Sequence, residues 1–576
     1  MKKIVSLTGC LLQAWWLMAQ APVVGLNQLG YEPASAKQAL VLHANTDSFY
    51  ILTNSRNDIV YKGKLSDARK SPVSALSAKL ADFTSIKQPG NYWLSLPGVK
   101  EYWPVTIGNA VYEPLSAAAI KAFYFQRSDM ELQPAYAGKW ARPAGHKDTK
   151  VLIHASAAGK NRPAGTVIAS PGGWYDAGDY NKYIVNSGVT MGTLLSAYED
   201  FSLYYDTLKL AIPESGNAIP DLLDEILYNL RWMMTMQDPA DGGVYHKCTN
   251  AAFDGMVMPG VTKEPRYVVQ KSTAAALDFA ATMAQAARIF RAFKSQLPGL
   301  ADSCLKAAVN AWNWAEENPR VLYEQEEMNK RFQPAITTGG YGDRQLDDER
   351  FWAAAELLVT TGQTSHAAQL TKTVSSIQSL PGWPQVGMLG IFTLLRHAGR
   401  INDLPLLTAA RKQVLLLADS LLRGREKSLS ATVMGARIND FVWGSSAVAA
   451  NQGMLLINAY LQTKEQKYLD GALSNLDYLL GKNATGYSFV TGMGFKTPMH
   501  PHHRPSYADQ IEDPVPGLLS GGPNAQAYRQ DKCTYAYREA ERQYTDALCS
   551  FASNEIAINW NAPLVYLAGA LCAISK

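Results

Sequence analysis

VYEPLSAAAIKAFYFQR, residues 111–127, is the stretch at which the sequence changes from strand character to helical character. Upstream of it, from residue 23 to about 107, short and partly alternating apolar runs are separated by turn residues, such as those at 54–57. This spacing is typical of a small β-sandwich of the immunoglobulin-like type. We therefore predict a β-sandwich domain at 22–108, followed by a long helical domain at 109–576.

Apolar residues recur with helical periodicity in twelve segments of the chain, which predicts a mainly α fold for the second domain. Twelve helices arranged as hairpins fit an (α/α)6 toroid, in which an inner and an outer ring leave a cleft at one end. An α-solenoid would give a similar pattern, although no fixed-period repeat is visible. The segments are 111–127, 184–205, 219–236, 270–294, 301–317, 349–361, 366–379, 385–397, 404–422, 441–463, 466–480 and 556–574.

The overall composition is that of a large globular protein. Of the 576 residues, 47% are hydrophobic and 18% are charged, which supports a large core and argues against disorder. This length favours two domains over one. The net charge is only +4 and no run of lysines or arginines stands out, so we expect neither nucleic acid nor an acidic membrane as a partner. We expect the protein to be a monomer.

The first residues have the pattern of an export signal. Two lysines precede an apolar segment at 4–18, and Ala19-Gln20-Ala21 follows as a cleavage site. We predict a signal peptide at 1–21 that is cleaved near Ala19 or Ala21, and an exported protein that is periplasmic, secreted or at the cell surface. No later segment is long and uncharged enough to suggest a membrane span.

Five cysteines remain after that cleavage. None forms a C-x-x-C pair, so neither a zinc knuckle nor a redox motif is visible. An oxidising compartment permits disulfides. Cys533 and Cys549 are a possible bridge, and the odd count leaves at least one thiol without a partner in the chain.

The segment GGWYDAGDYNKY, residues 172–183, carries the first candidate site. Asp176 and Asp179 stand three positions apart at the start of a predicted helix, where acids accept backbone N–H bonds and still present free oxygens. For an arbitrary pair of this kind, a helix cap with a solvated acid is the ordinary explanation. Here the aromatic rings of Trp174 and Tyr183 surround the pair, and the apolar face of a sugar stacks on such rings while acids transfer protons.

The polar segment at 482–555 carries the second candidate site, because loops of this length in a helical domain usually have a function. Glu555 lies near the start of the last predicted helix among apolar neighbours, which would raise the pKa of its carboxyl as a general acid requires. A first-turn acid stabilised by the helix dipole is the alternative. Asp546 either orients the loop or binds substrate.

His502 and Arg504 belong to a cluster of imidazole and guanidinium groups in the same segment. These groups suit the recognition of sugar hydroxyls, whereas zinc ligation lacks a carboxylate or thiol at helical spacing. A structural turn bounded by prolines, with solvated histidines, explains the cluster equally well. Two separated carboxyl sites, one desolvated and one solvated, are the groups that glycoside hydrolysis needs.

Three blocks together resemble the signature of the family 9 glycoside hydrolases: GGWYDAGDYNKY, VTGMGFKTPMHPHHRPS and YTDALCSFASNEIAINWNAPL. That family consists mainly of β-1,4-glucanases with an (α/α)6 catalytic domain, and VVGLNQLGYEP at 23–33 resembles the immunoglobulin-like module that precedes it in one subgroup. The resemblance implies an inverting mechanism that needs no cofactor. By this matching Asp179 is the general base, Asp176 helps to hold the attacking water, and Glu555 protonates the leaving oxygen.

The same resemblance implies roles for further side chains. His502 and Arg504 would bind sugar hydroxyls near the cleavage point, and Asp546 matches a further acidic position of the signature. Trp560 falls where the family often has a stacking aromatic residue, and Trp443 is a second candidate.

Two metal sites of the family are relevant. Zinc is doubtful, because Ser128, Gly145 and Tyr175 occupy positions where family members have ligands, which leaves His146 alone. Calcium is common around the segment that corresponds to residues 341–349.

In that segment Asp343, Asp348 and Glu349 supply hard oxygen ligands. A later acid of the family appears as Gln385, which weakens the set. An acidic helix cap is the alternative explanation.

The leading hypothesis is an exported endo-β-1,4-glucanase acting on cellulose-like β-glucans. Alternative substrates are xyloglucan, mixed-linkage glucan or glucosamine oligosaccharides, with exo action if the loop at 128–171 closes one end of the cleft. A catalytically inactive carbohydrate-binding protein would lack an acid or a base, yet both candidates are present. A toroidal lyase or terpene cyclase would need a uronic-acid base or an acid-rich motif in an apolar cavity.

Overall fold

The structure is a computed structural model, and it describes residues 21–56 and 58–576. The predicted signal peptide therefore lies almost entirely outside the described residues, together with the proposed cleavage point at Ala19.

Two four-stranded sheets form the N-terminal domain, in the orders β1-β2-β6-β5 and β4-β3-β7-β8. Along β8, Trp103, Val105 and Ile107 face the interior while the intervening residues face outward, as expected for one sheet of a sandwich. The strands are β1 Val23–Gly25, β2 Gln38–Leu42, β3 Ser48–Thr53, β4 Ile59–Lys64, β5 Arg69–Lys70, β6 Ser77–Asp82, β7 Gly90–Ser95 and β8 Tyr102–Ile107.

Helices dominate the remainder of the chain. They are α1 Glu113–Phe125, α2 Pro134–Ala137, α3 Ile184–Tyr205, α4 Asp221–Thr235, α5 Thr273–Phe290, α6 Leu300–Glu317, α7 Gln325–Arg331, α8 Asp347–Thr361, α9 Ala367–Thr373, α10 Gly387–Arg396, α11 Leu404–Arg425, α12 Ser445–Thr463, α13 Gln466–Leu479, α14 Arg504–Ala508, α15 Ala527–Gln530, α16 Phe551–Asn554 and α17 Ile558–Ser575. Each of the twelve predicted segments corresponds to one of these helices. The predicted domain boundary at 108 falls between β8 and α1.

The twelve helices that correspond to the predicted segments form two rings. Helices α3, α5, α8, α10, α12 and α17 form the inner ring, and every residue of α5 is buried. Helices α1, α4, α6, α9, α11 and α13 form the outer ring. In α6 the buried residues recur at Cys304, Ala307, Ala308 and Ala311, which is the stripe expected of a helix with one face in water. This arrangement is an (α/α)6 toroid.

Helix α17 is the one helix of the described residues that is long and apolar enough to cross a membrane by composition. In the fold 72% of it is buried, because it belongs to the inner ring. Its apolar composition is that of a core helix.

A five-stranded sheet lies beside the toroid and was absent from the predicted elements. Its strands are β9 Val151–Ile153, β10 Val167–Ile168, β11 Lys182–Tyr183, β12 Lys247–Asn250 and β13 Arg266–Val268, in the order β10-β9-β13-β12-β11. Because β11 ends the motif at 172–183, this sheet fixes one side of the candidate site. It pairs Tyr183 with Lys247.

The sandwich packs on the helical domain through apolar and polar contacts. Leu40 and Leu42 of β2 share a buried cluster with Leu429. The Asn27 amide donates to Asp477 Oδ1 at 2.8 Å. These contacts join the two domains on the side that carries the loop after α11.

Candidate active site

Three loops far apart in the sequence are joined by backbone hydrogen bonds. The Ile558 N–H donates to the Asp176 carbonyl at 2.9 Å, and the His502 N–H donates to the Asn554 carbonyl at 2.9 Å. A Cβ on Gly178 would lie 2.1 Å from the His502 carbonyl oxygen, so glycine permits the close approach of these two loops. The loops that carry Asp176, Asp179 and Glu555 therefore meet, as the sequence hypothesis requires.

The meeting point opens into a cavity of about 930 Å³. Its lining includes Asp176, Asp179 and Glu555, and also Tyr183. Residues 378–385 contribute one part of the wall. Another part comes from Arg437 to Gly444, followed by the start of α12. The cavity thus places two acidic loops and several aromatic rings around one space.

Asp176 is buried and accepts two hydrogen bonds. Asn186 Nδ2 donates to Oδ1 at 2.7 Å, and the Tyr341 hydroxyl donates to Oδ2 at 2.7 Å. Burial and the nearby Asp179 raise the pKa of Asp176 to about 8, although the two hydrogen bonds and Lys247 oppose the rise. Near neutral pH Asp176 is therefore a protonated group beside a second carboxyl.

Asp179 is 5% exposed, and its Oδ2 accepts from the amide group and backbone N–H of Asn181. The Tyr183 hydroxyl lies 3.4 Å from the same oxygen. Donors of this kind stabilise the ionised carboxylate. Because they converge on Oδ2, the other oxygen of Asp179 is left for a ligand in the cavity.

Glu555 has the environment of a general acid. Burial raises its pKa well above the ordinary value, and the neighbouring carboxyls of Asp179 and Asp176 raise it further. Arg504 and the Trp443 indole act in the opposite direction. A carboxyl with such a pKa keeps its proton near neutral pH and can donate it.

His502 and Arg504 lie beside the acids but outside the cavity lining. The Arg504 guanidinium donates to the Gly178 carbonyl at 2.7 Å and to the Asp254 carbonyl at 3.0 Å. His502 Nδ1 lies 2.7 Å from the Leu548 carbonyl, which makes this nitrogen the donor. Burial lowers the pKa of His502 and so favours its neutral form. Because Nδ1 carries the hydrogen, Nε2 is the nitrogen that can accept a bond from a sugar hydroxyl. Sugar binding by these two residues stays a prediction.

Asp546 orients a loop in this structure. Its carboxylate accepts from the backbone N–H groups of Met499 and His500, each at 2.8 Å, and from Asn554 Nδ2 at 3.0 Å. These bonds join both halves of the second candidate segment. A disulfide between Cys533 and Cys549 closes the adjoining loop.

Aromatic side chains line the cavity on several sides. Trp443 is 43% exposed and Trp560 packs against the backbone at Gly444, where a Cβ would lie 2.7 Å from its ring. Sequence reasoning did not identify Trp383 as a site residue. Its ring lies edge-on to that of Tyr341, with ring centroids 5.3 Å apart. Its flanking glycine and prolines indicate a loop, and an aromatic residue in such a loop was the signal that could have identified it.

The acids proposed for calcium lie near a fourth acid that sequence reasoning missed. Asp278, on the buried helix α5, has both carboxylate oxygens buried without a hydrogen-bond partner, and so has Glu349. One oxygen of Asp343 is in the same state, whereas Asp348 accepts from the Val386 N–H at 2.6 Å. Burial and the neighbouring carboxyls raise the pKa values of Asp278 and Glu349. A lone acid within an otherwise apolar inner helix was the signal for Asp278.

This acidic cluster has the donor chemistry that Ca²⁺ prefers, which is buried carboxylate oxygen. Across residues 21–56 and 58–576, however, no three His, Cys, Asp or Glu side chains already stand in an arrangement that could hold a metal ion. Binding of calcium would therefore require the carboxylates to close around it.

Of the positions considered for zinc, Ser128, Tyr175 and His146 carry hydrogen-bonded side chains, and Gly145 has no side chain to bind a metal. The Ser128 hydroxyl donates to the Gly172 carbonyl at 2.7 Å. The Tyr175 hydroxyl lies 3.0 Å from His146 Nδ1, and His146 Nε2 faces Asp254 at 3.5 Å. These contacts hold together the residues around the first loop, and none of the side chains at these positions is a thiolate that could bind zinc.

Comparison with known proteins decides the family. Residues 112–568 match the model of Glycosyl hydrolase family 9, and residues 19–101 match that of the Cellulase N-terminal ig-like domain. The chain belongs to glycosyl hydrolase family 9. Membership in family 9 confirms the resemblance drawn from the three sequence blocks, and it makes the protein a glycosidase.

Relatives of this family 9 glycosyl hydrolase cover nearly its whole length. The xyloglucan-specific endo-beta-1,4-glucanase BoGH9A of Bacteroides ovatus is 46% identical over 555 residues, which are 96% of this chain and 94% of that protein. Endoglucanase D of Acetivibrio thermocellus is 33% identical over 95% of this chain and 83% of that protein. A solved structure, Bacteroides ovatus GH9, superposes with a TM-score of 0.91 at 46% identity, covering 96% of this chain and 99% of that one. These similarities confirm the predicted toroid with its immunoglobulin-like domain.

Proposed function

We propose that this glycosidase is an endo-β-1,4-glucanase that cleaves β-glucans with inversion of configuration. The observation that carries the proposal is the single cavity in which Asp179 and Glu555 have opposite environments. Asp179 accepts hydrogen bonds that favour its anion, whereas burial and nearby charge raise the pKa of Glu555. One group is therefore suited to accept a proton and the other to donate one.

In the proposed reaction, a water molecule attacks the anomeric carbon from the face opposite the leaving sugar. Asp179 takes a proton from that water while Glu555 gives its proton to the glycosidic oxygen, and the bond between that oxygen and the anomeric carbon breaks. The new hydroxyl then has the α configuration. Asp179 is left protonated and Glu555 ionised, and exchange with solvent restores both.

Asp176 has a supporting role in this proposal. Its raised pKa, about 8, leaves it protonated in the range where Asp179 acts, so the two neighbouring carboxyls do not both carry charge. Asn186 and Tyr341 fix its orientation. Asp176 can then hold the attacking water while Asp179 removes the proton.

The leaving group separates the two catalytic roles experimentally. An aryl β-cellobioside whose phenol has a low pKa releases its leaving group without protonation. Removing the general acid of the enzyme therefore lowers the rate on this substrate only slightly. We expect Glu555→Gln to lose two to four decades of kcat/KM on soluble β-glucan but to retain most activity on 2,4-dinitrophenyl β-cellobioside. Asp179→Asn should be inactive on both substrates. Equal losses for Glu555→Gln on both would remove Glu555 from the role of acid.

Xyloglucan is a second candidate substrate, favoured by the 46% identity to the xyloglucan-specific relative. The wall of the cavity formed by residues 437–444 carries exposed apolar side chains, namely Val442 at 42% and Trp443 at 43%. Such a surface suits contact with sugar branches that project from the main chain.

Substrate preference is tested by comparing kcat/KM on tamarind xyloglucan, carboxymethylcellulose, mixed-linkage glucan and chitosan oligomers. We expect xyloglucan to be preferred, and Val442→Asp to reduce that preference while activity on unbranched cello-oligosaccharides is kept. An enzyme that prefers carboxymethylcellulose would leave the general endoglucanase as the better description. Product sizing in the same assay separates endo from exo action.

We also propose that calcium binds at the cluster of Asp278, Asp343, Asp348 and Glu349. Bound calcium would neutralise buried carboxylates and so stabilise the fold. We expect CaCl₂ to raise the melting temperature relative to EDTA in the wild type, and Asp278→Asn to abolish the difference. Asp302→Asn, an exposed acid of α6, is the control that keeps it. Equal melting in CaCl₂ and EDTA would remove calcium from the account.

Export and a monomeric state complete the proposal. The two N-terminal lysines and the apolar segment that follows them support export. N-terminal sequencing of the protein from its native cell tests the cleavage near Ala19 or Ala21, and sedimentation tests the monomer.

A further inference from the structure

Lys247 is a buried cation next to the proposed base. It lies on β12 opposite Tyr183 of β11, and it has no exposed surface. Its ammonium donates to Gln325 Oε1 at 2.7 Å, to Thr338 Oγ1 at 3.0 Å and to the Gly339 carbonyl at 2.6 Å. All three acceptors are neutral, so they solvate the charge without cancelling it. Burying an ammonium without a directly bonded carboxylate is costly, which calls for a reason.

One chain of hydrogen bonds leads from Lys247 to Asp179 through Gly339. The Gly339 carbonyl accepts from Lys247, and the Gly339 N–H donates to the Tyr183 hydroxyl oxygen at 3.1 Å. Because that oxygen already accepts a bond, the Tyr183 hydroxyl hydrogen is directed to Asp179 Oδ2 at 3.4 Å. The chain ends with a donor on the proposed base.

A second chain reaches Asp179 through two threonines. Lys247 donates to Thr338 Oγ1, which leaves the Thr338 hydroxyl to donate to Thr249 Oγ1 at 2.7 Å. The single hydroxyl hydrogen of Thr249 has two acceptors, Asn181 Oδ1 at 2.9 Å and the Asn250 carbonyl at 2.8 Å, and the Asn250 N–H also donates to Asn181 Oδ1 at 2.9 Å. With its oxygen engaged in this way, Asn181 turns its Nδ2 group toward Asp179 Oδ2. When Thr338 donates to Thr249 and Thr249 donates to Asn181, the donors run from the ammonium to the base, and hydrogen bonds aligned in this way strengthen one another.

We propose that Lys247 is a positioning residue for the reaction, which orients the donors to Asp179 and keeps the base deprotonated at acidic pH. The proposal rests on the assignment of Asp179 as the base. Lys247 itself contacts neither the reacting atoms nor the cavity, because Tyr183 and Gly339 stand between.

The charges around the two residues have the required sign. Burial lowers the pKa of Lys247 to about 7, while Asp179 and then Asp176 raise it, so the lysine is charged below neutrality. A positive charge favours the carboxylate, and its removal raises the pKa of the base. The titratable and charged groups that surround Asp179 are Asp176, Tyr183, Lys247, Tyr341, His502, Arg504 and Glu555.

The test is the pH dependence of kcat/KM for Lys247→Met, which keeps the length of the side chain without the charge, and Lys247→Gln, which keeps a donor. We expect the acidic limb of the profile to shift to higher pH by about one unit in both variants. The loss should appear in kcat, by about tenfold at pH 5, with KM little changed. At the optimum, Lys247→Gln should be the more active of the two because it can still bond Thr338.

Lys482→Met is the matched control, since Lys482 is also a buried lysine with a neutral acceptor, Gln38 Oε1 at 3.0 Å, but lies at the contact between the two domains. We expect it to lower the melting temperature and leave the acidic limb in place. Thr249→Val breaks the second chain without removing a charge, and its limb should shift the same way by a few tenths of a unit. Thr249→Val replaces the Lys247 variants as the test if neither of them folds.

The proposal is overturned if the acidic limb of the Lys247 variants coincides with that of the wild type. If only Thr249→Val folds, the same result in that variant overturns it. A separate result concerns the base itself. If Asp179→Asn keeps near-normal turnover, the assignment of the base fails. If Asp179→Asn is inactive and the limb does not move, only the role of Lys247 fails.

Discussion

Replacing Gly178 by alanine should separate the two loops that carry the proposed catalytic groups. The added Cβ would lie 2.1 Å from the His502 carbonyl oxygen and 3.1 Å from the carbonyl carbon, both of which are backbone atoms. Since carbon contacts are comfortable near 3.5 Å, the loops must part by about 1 Å. This movement strains the two bonds from Arg504 to the Gly178 carbonyl, at 2.7 and 3.2 Å.

The magnitude follows from that displacement. Overpacking of this kind costs about 1–3 kcal/mol of stability, and a misplacement of about 1 Å at a catalytic group costs about a hundredfold in rate. We therefore expect Gly178→Ala to lose about two decades of kcat/KM on soluble β-glucan, with a smaller fall in melting temperature. Reducing-sugar release and differential scanning fluorimetry measure the two effects.

The control is Gly216→Ala. Gly216 has nothing within 4 Å of the position a Cβ would take, so this variant should match the wild type in activity. If Gly178→Ala keeps kcat/KM within threefold of the wild type, the close packing of the two loops has no part in placing the catalytic groups, and the reasoning is refuted.

Three further predictions concern single side chains. Tyr341→Phe removes the 2.7 Å bond that helps to fix the orientation of Asp176, so kcat should fall about tenfold or more; wild-type kcat in this variant would contradict the role given to Asp176. Cys533→Ser opens the loop closed by the disulfide, with a sequence separation of 16, and should cost about 3 kcal/mol in denaturant unfolding; dithiothreitol should reproduce the loss only in the wild type. Burial lowers the pKa of His503 from 6.5 to about 3, so the unfolded state binds the proton more tightly and stability is lost as the pH falls from 6.5 toward 3. His503→Gln should make the melting temperature depend less on pH across that window, and an unchanged slope would contradict the burial argument.

The helical domain was predictable because its period is long and repeated. Each inner helix offered many buried positions, as in α5, and each outer helix offered a stripe, as in α6. Helices α5 and α9 are clearly shorter than predicted: they end at Phe290 and Thr373, and 3₁₀ turns at Arg291–Phe293 and Val374–Ser376 follow them. Local periodicity does not distinguish these two kinds of turn.

The sheet β9–β13 was not predictable in the same way. Its strands have two to four residues, which is too short to show an alternation. Its pairings join residues that are distant in sequence, such as Val151 with Arg266 and Ile153 with Val268. The arrangement of Lys247 behind Tyr183 was therefore visible only in the fold.

The carboxyls proposed for catalysis could be predicted because they occur in spaced blocks with distinctive neighbours. Their partners were not, since Tyr341 reaches Asp176 across 165 positions of the chain. Asp278 gave a weaker signal, as a lone acid on a buried helix. Function could thus be inferred from motifs, whereas the groups that tune the site depend on packing.

The account depends most directly on the geometry of attack at the anomeric carbon. Proton NMR of the products, recorded in the first minutes of hydrolysis of a β-glucan before mutarotation, reads that geometry. We predict that the α-anomer of the new reducing end appears first. Initial formation of the β-anomer would mean a retained configuration, and would contradict the assignment of Asp179 as the base that activates water.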